Sequence, residues 1–166
     1  MSHAAIQGTR GQAQQFTNAW IQTTCTLGSS MCWDYTVATN SMGYYAIPTP
    51  NPIYFGFAGV LWNASEKTGT PETNQLLISG GFCPKLRAST VGGLIGPSAA
   101  ITALSPLIAG ATPTSGVDQE GRMSVYVHRV DTQPSYWTGF PIKAVSLDAV
   151  TQASLTGTVR AFICNM

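Results

Sequence analysis

Residues 19–39 read AWIQTTCTLGSSMCWDYTVAT, two runs of aromatic, β-branched and sulfur-bearing residues that meet at Gly28-Ser29. Runs of that composition on either side of a Gly-Ser pair predict strand, turn, strand, with glycine supplying the positive φ of a tight turn. Taken as a hairpin turning at Gly28-Ser29, the register places Cys25 opposite Cys32, Trp20 opposite Val37 and Thr24 opposite Trp33. One face then gathers Trp20, Trp33, Tyr35 and Val37, as a core face would. The cysteine face carries Ile21, Thr23, Asp34 and Thr36. Directly opposed residues of an antiparallel pair have Cα atoms about 4.5–5.5 Å apart, inside the range of roughly 4.4–6.8 Å that a disulfide spans. The hairpin thus admits a Cys25–Cys32 disulfide closing a short loop, or two free structural thiols. Cys83–Cys164 is a further pairing, and in a reducing compartment all four stay free. Metal ligation is disfavoured: structural zinc draws on close-spaced Cys and His, whereas Cys83, Cys164, His3 and His128 are isolated and there is no C-x-x-C.

The same strand chemistry recurs along the chain. Besides 19–27 and 31–39, strands are predicted at 52–62, 75–82, 122–130, 140–147 and 155–164, each bounded by Gly, Pro, Asn or Thr. Residues 97–104, PSAAITAL, are the exception and predict a short helix capped by Ser98. Segments 43–52 and 109–121 are rich in Thr, Pro and Gly and read as surface loops. No internal repeat is visible in the residues. The chain is expected to be all-β, an antiparallel β-sandwich of jelly-roll type or a β-barrel. Its 166 residues suit one domain, with 1–18 as an N-terminal arm and 19–166 as a single β domain.

Hydrophobic residues make up 44% of the chain and charged residues only 9%, against about 25% charged in an average soluble domain. Ser, Thr, Asn and Gln carry the polarity instead. That hydrophobicity excludes intrinsic disorder, and so sparse a charge leaves little repulsion between copies. A homo-oligomer fits this surface. The net charge is +1 and the eight basic residues are scattered, so the clustered patch that direct nucleic-acid binding needs is missing. The N-terminal residues hold no apolar stretch of signal-peptide type. Residues 88–117 carry only Ser, Thr, Gly, Pro and apolar side chains, but Pro97 and Pro106 interrupt them. A spanning helix needs about 20 continuous apolar residues, so this stretch is expected in the core and a membrane partner is not expected.

Catalytic equipment is thin. There is no nucleophile elbow, phosphate loop, zinc-protease motif or dinucleotide fingerprint, and the chain has only two histidines and seven carboxylates. His128 and Asp131 face opposite sides of an extended chain. Asp118 and Glu120 share one side, as calcium ligands or a glycosidic pair would, but an ordinary charged turn explains them better. No enzyme activity, catalytic residue, metal or cofactor is expected. Asn63-Ala64-Ser65 is a glycosylation sequon, which makes Asn63 a candidate site in a secretory setting. In PSYWTGFP, 134–141, Tyr136, Trp137 and Phe140 lie among loop residues, where aromatic rings stack on a sugar, anchor a protein partner or fold back on the core.

An all-β pattern, few charges, long Ser/Thr/Pro/Gly loops and scarce acid–base groups together give the whole chain a texture that resembles the shell or protruding domains of small viral capsids. The resemblance implies a structural protein of a virion or extracellular surface, self-associating, with loops for receptor binding to a host protein or glycan. The absence of a basic arm departs from genome-binding coat proteins and favours a protruding domain. The alternative is a carbohydrate-binding, lectin-like module that uses the loop at 134–141.

Overall fold

The computed structural model describes residues 14–21, 25–34, 45–49, 56–62, 73–90, 100–109, 121–125, 142–151 and 156–164. They form nine strands: β1 (Gln14–Ile21), β2 (Ser30–Trp33), β3 (Tyr45–Pro48), β4 (Phe57–Leu61), β5 (Thr73–Ser89), β6 (Pro106–Ala109), β7 (Met123–Val125), β8 (Ile142–Ser146) and β9 (Thr156–Ile163). No helix occurs among the described residues, and this part of the protein is all-β as its strand chemistry predicts. Two strands lie where loops were expected or no strand was predicted. These are β3, inside 43–52, and β6, inside the uncharged 88–117 stretch. The described part of the expected helix at 97–104 is extended instead: Ile101 bridges to Val150, and Thr102–Ser105 is a turn. β1 begins at Gln14, within the stretch read as an arm.

The expected hairpin between 19–27 and 31–39 does not form. β1 pairs antiparallel with β5 and parallel with β3, while β2 pairs with β3 and β4. β1 ends at Ile21, and Gly28-Ser29 turns the chain directly into β2 instead. Ile21, fully buried, is flanked by β3 at Ala46 and by β5 at Thr73, where a hairpin would give it one partner strand.

The pairings close into two rings. β1, β3, β2, β4 and the first half of β5 form one; the second half of β5, β7, β6, β8 and β9 form the other. The 17-residue β5 belongs to both. Closure removes the exposed edges that an open sheet would present.

The second ring repeats the first strand for strand. β1, β2, β3, β4 and β5 of the first correspond to β5, β6, β7, β8 and β9 of the second, and each ring has one parallel pair, β1–β3 and β5–β7. Register is kept as well. Ser30↔Val60, Met31↔Gly59 and Cys32↔Phe57 recur as Pro106↔Val145, Leu107↔Ala144 and Ile108↔Ile142, with the irregularity at the same step in both. Thus the chain does contain an internal repeat, carried by backbone pairing and almost invisible in side-chain identity.

Alternation along the strands fills each ring. Ile21, Met31, Ala46, Leu61 and Leu77 line the first core, and Leu86, Leu107, Met123, Ala144 and Ile163 the second. Val60 and Ile78 are informative exceptions. They face outward from the first ring, opposite each other on β4 and β5, yet belong to the core cluster of the second. The first ring is docked on the second through this outer face.

Candidate interaction face

The docking of ring on ring begins at a turn. Ser29 N–H donates to the Thr26 carbonyl at 3.0 Å, and Gly28, at φ 86°, donates its N–H to the Leu61 carbonyl at 2.9 Å. Its own carbonyl accepts from Arg87 N–H at 2.9 Å, and Arg87 Nη1 donates to Ser29 Oγ at 3.1 Å. Only glycine fits here, because a Cβ would stand 2.7 Å from the Lys85 carbonyl oxygen. Ser30 N–H then donates to the Gly121 carbonyl at 2.7 Å, which ties the turn to the entry of β7. Beyond the turn the row Ser30–Val60–Ile78 crosses β2, β4 and β5, all three residues fully buried. Phe16 continues the row on β1 and meets the Trp62 ring edge-on at 6.5 Å.

Each of these features has a counterpart on the second ring. Ser105 N–H donates to the Thr102 carbonyl at 3.1 Å, and Leu104, at φ 66°, donates to the Ser146 carbonyl at 2.7 Å. The Ser146 N–H returns to the Ser105 carbonyl at 2.9 Å, as Leu61 N–H does to Ser29. The outer row here is Pro106–Val145–Phe162–Phe82, running across β6, β8, β9 and β5. The rows beside it, Leu107–Ala144–Ile163 and Ser146–Ala161–Cys83, are buried, so the sheet alternates cleanly between core and surface. Leu147 takes the place of Trp62, donating its N–H to Arg160 as Trp62 does to Leu76.

What differs is cover at the turn, the middle of the row and the flank; Phe16, at the end of the first row, is itself 45% exposed. Leu104 is 72% exposed, Phe162 39% and Leu147 37%, three of the five large hydrophobic residues that are exposed among those described. One ion pair rims the face: Arg160 Nη2 lies 2.7 Å from Asp148 Oδ1, and Arg160 N–H also donates to Asp148 Oδ2 at 2.8 Å. These bonds hold the Asp148 carboxyl down at about 2. Lys143, whose burial lowers its pKa, sets its Nζ 5.9 Å above the Phe57 ring, where the two rings adjoin.

The residues singled out from sequence fare differently. Cys25, Cys32 and Cys83 are buried and Cys164 is half-buried, and none of the four forms a disulfide. The hairpin that would have set Cys25 against Cys32 is absent, and Cys25 lies in the core of the first ring. Burial pushes the Cys32 and Cys83 thiols up to about 11. Tyr136, Trp137, Phe140, Asn63, His128, Asp118 and Glu120 lie outside the described residues. Among the described residues no three His, Cys, Asp or Glu side chains come together as a metal site, and no helix is long and apolar enough to cross a membrane. Sequence reasoning missed the outer row. Its one signal was the pair Thr26-Leu27-Gly28-Ser29 and Thr102-Ala103-Leu104-Ser105, alike only at Thr and Ser. No protein-family model, curated protein or solved structure matches the chain.

Proposed function

We propose that the protein is a non-enzymatic structural subunit, a capsid-type or virion-surface β domain that self-associates and presents Ser/Thr/Pro/Gly-rich loops to a host receptor or glycan. One observation carries this reading. The face that docks the first ring on the second is repeated on the second ring as an exposed apolar surface. On a chain with 9% charged residues, such a surface is sealed most simply by protein–protein burial, the usual mechanism of subunit assembly. The described strands close into two rings and leave no free edge among themselves, which favours association through side-chain faces over strand addition. Light scattering after size exclusion, at several concentrations, tests the reading. A defined mass above one chain is expected; a single-chain mass throughout the range overturns it.

A further inference from the structure

Cys164 and Lys143 stand opposite each other where β9 ends against β8. Cys164 N–H donates to the Lys143 carbonyl at 2.8 Å, continuing the register Val145↔Phe162 and Ala144↔Ile163 by one residue. Directly opposed residues of an antiparallel pair point to the same side, with Cβ atoms about 4.5–5.5 Å apart. Ala144 and Ile163 fill the core, so Lys143 and Cys164 share the outward side with Val145 and Phe162. Cys164 is the one cysteine of the four that is not buried, and its Sγ lies 3.7 Å from the Phe162 carbonyl oxygen. Lys143 is half-buried, and desolvation lowers the pKa of its amine, which raises the share of the neutral, nucleophilic form. Its Nζ rests 5.9 Å above the Phe57 ring. A ring face attracts the ammonium and not the neutral amine, so deprotonation releases the flexible four-carbon stem to reach the thiol. The fold itself does not require this pair. Val60 and Ile78 hold in the first ring the places of Val145 and Phe162, so Lys143 corresponds to Ala58 and Cys164 to Gly80. The same architecture is built there from residues without side-chain chemistry.

We propose that Cys164 and Lys143 form a self-modification site that takes an acyl thioester and ends with the acyl group on Lys143. In the first step the Cys164 sulfur, as thiolate, attacks the thioester carbonyl carbon. A bond forms from that carbon to the Cys164 sulfur, the carbon–sulfur bond to the donor breaks, and the donor leaves as a thiolate that takes up a proton. In the second step the neutral Lys143 Nζ attacks the same carbonyl carbon. The C–N bond forms, the bond to the Cys164 sulfur breaks, and the proton lost by nitrogen goes to that sulfur. The thiol is regenerated, the amide is the lasting product, and nothing is oxidised or reduced. Thiol and amine on opposed residues make the second step intramolecular, which raises the effective concentration of the amine far above that of one in solution. Acylation removes the charge of Lys143 and with it the attraction to Phe57. This site stands apart from the self-association proposed above and does not depend on it.

The test incubates the full chain with acetyl-coenzyme A and follows acetylation of each lysine by peptide mass spectrometry. Wild type, Cys164→Ser and Lys143→Arg are compared, and far-UV circular dichroism establishes that each is folded. In the wild type Lys143 is expected to be acetylated more than about tenfold faster than the other two lysines, Lys67 and Lys85. Cys164→Ser is expected to bring Lys143 down to their rate. The same variant should still acetylate normally at Lys143 with the N-hydroxysuccinimide ester of acetic acid, which needs no thiol and shows that the amine remains open. Lys143→Arg should instead accumulate the acetyl group on Cys164, where hydroxylamine removes it. The proposal is overturned if Lys143 shows no advantage over Lys67 and Lys85, or keeps its advantage in Cys164→Ser. Acetyl groups that stay on Cys164 in the wild type, with Lys143 unmodified, also overturn it.

Discussion

Leu104 stands in the second ring where Gly28 stands in the first. Both have positive φ, 66° and 86°, and both donate their N–H to the matching carbonyl, of Ser146 and Leu61. The conformation is inherited by position in the repeat, but its surroundings are not. Gly28 is pressed against the Lys85 backbone, whereas Leu104 projects into solvent.

Opposite outcomes are therefore expected at the two positions. Gly28→Ala forces a Cβ to within 2.7 Å of a backbone oxygen at a positive φ, and costs more than about 2 kcal/mol. Leu104→Gly relieves left-handed strain and stabilises the folded chain by up to about 1 kcal/mol. Urea unfolding measures both; a destabilised Leu104→Gly would mean that the leucine contributes to the fold of its own ring.

The cysteines make a second test. Cys25, Cys32 and Cys83 are buried and only Cys164 is half-open. One thiol per folded chain is expected to react quickly with an aromatic disulfide reagent, and four after unfolding without reductant. Two slow thiols missing after unfolding would show that a disulfide forms.

Strand chemistry identified the all-β class and most strands because apolar alternation and β-branched residues are local signals. The rings were not legible. Closure depends on pairing at a distance, such as Trp20 with Tyr45 or Ala88 with Met123, and no local signal encodes it. The hairpin read from Cys25 to Cys32 was locally reasonable but lost to the cover that a closed ring gives Ala19 and Ile21. β3 was hidden by Pro48 and its flanking prolines, which punctuate a loop by composition; β6 was hidden in a long stretch without charge. The outer row of the second ring escaped because Pro106, Val145 and Phe162 come from three strands, each ordinary alone.

Alkaline pH is expected to weaken the fold through the buried thiols. Cys32 and Cys83 titrate at about 11 in the folded chain against 9.0 for the free side chain. A raised pKa means that the folded state holds its proton more tightly. The stabilisation is complete below pH 9.0 and is lost as pH rises toward about 11. Melting temperatures of wild type and Cys83→Ala should converge over that window, and parallel curves would refute the assignment.

Acid acts through the rim pair. Asp148 is held at about 2 by Arg160, below the ordinary 3.8. A depressed pKa stabilises the fold above the unfolded value, and the contribution disappears as pH falls through about 2. The pair is exposed, so salt should weaken it. Asp148→Asn is expected to flatten the acid limb of the stability curve in low salt and to change little in high salt.

Val60 and Val145 provide the sharpest comparison, because they hold the same place in the two rings. Each pairs with the residue that opens the second strand, Ser30 or Pro106, and with the outward residue of the last, Ile78 or Phe162. Val60 is fully buried between the rings, and an aspartate there would place an unpaired charge in a dry interface, at a cost of several kcal/mol. Val60→Asp is expected to abolish folding. Val145→Asp meets solvent in the single chain and should leave it folded, with its melting temperature little changed while the assembled mass falls. If Val145→Asp unfolds the chain instead, the outer face of the second ring is part of the monomer's own stability and the proposed division between a closed and an open docking face does not hold.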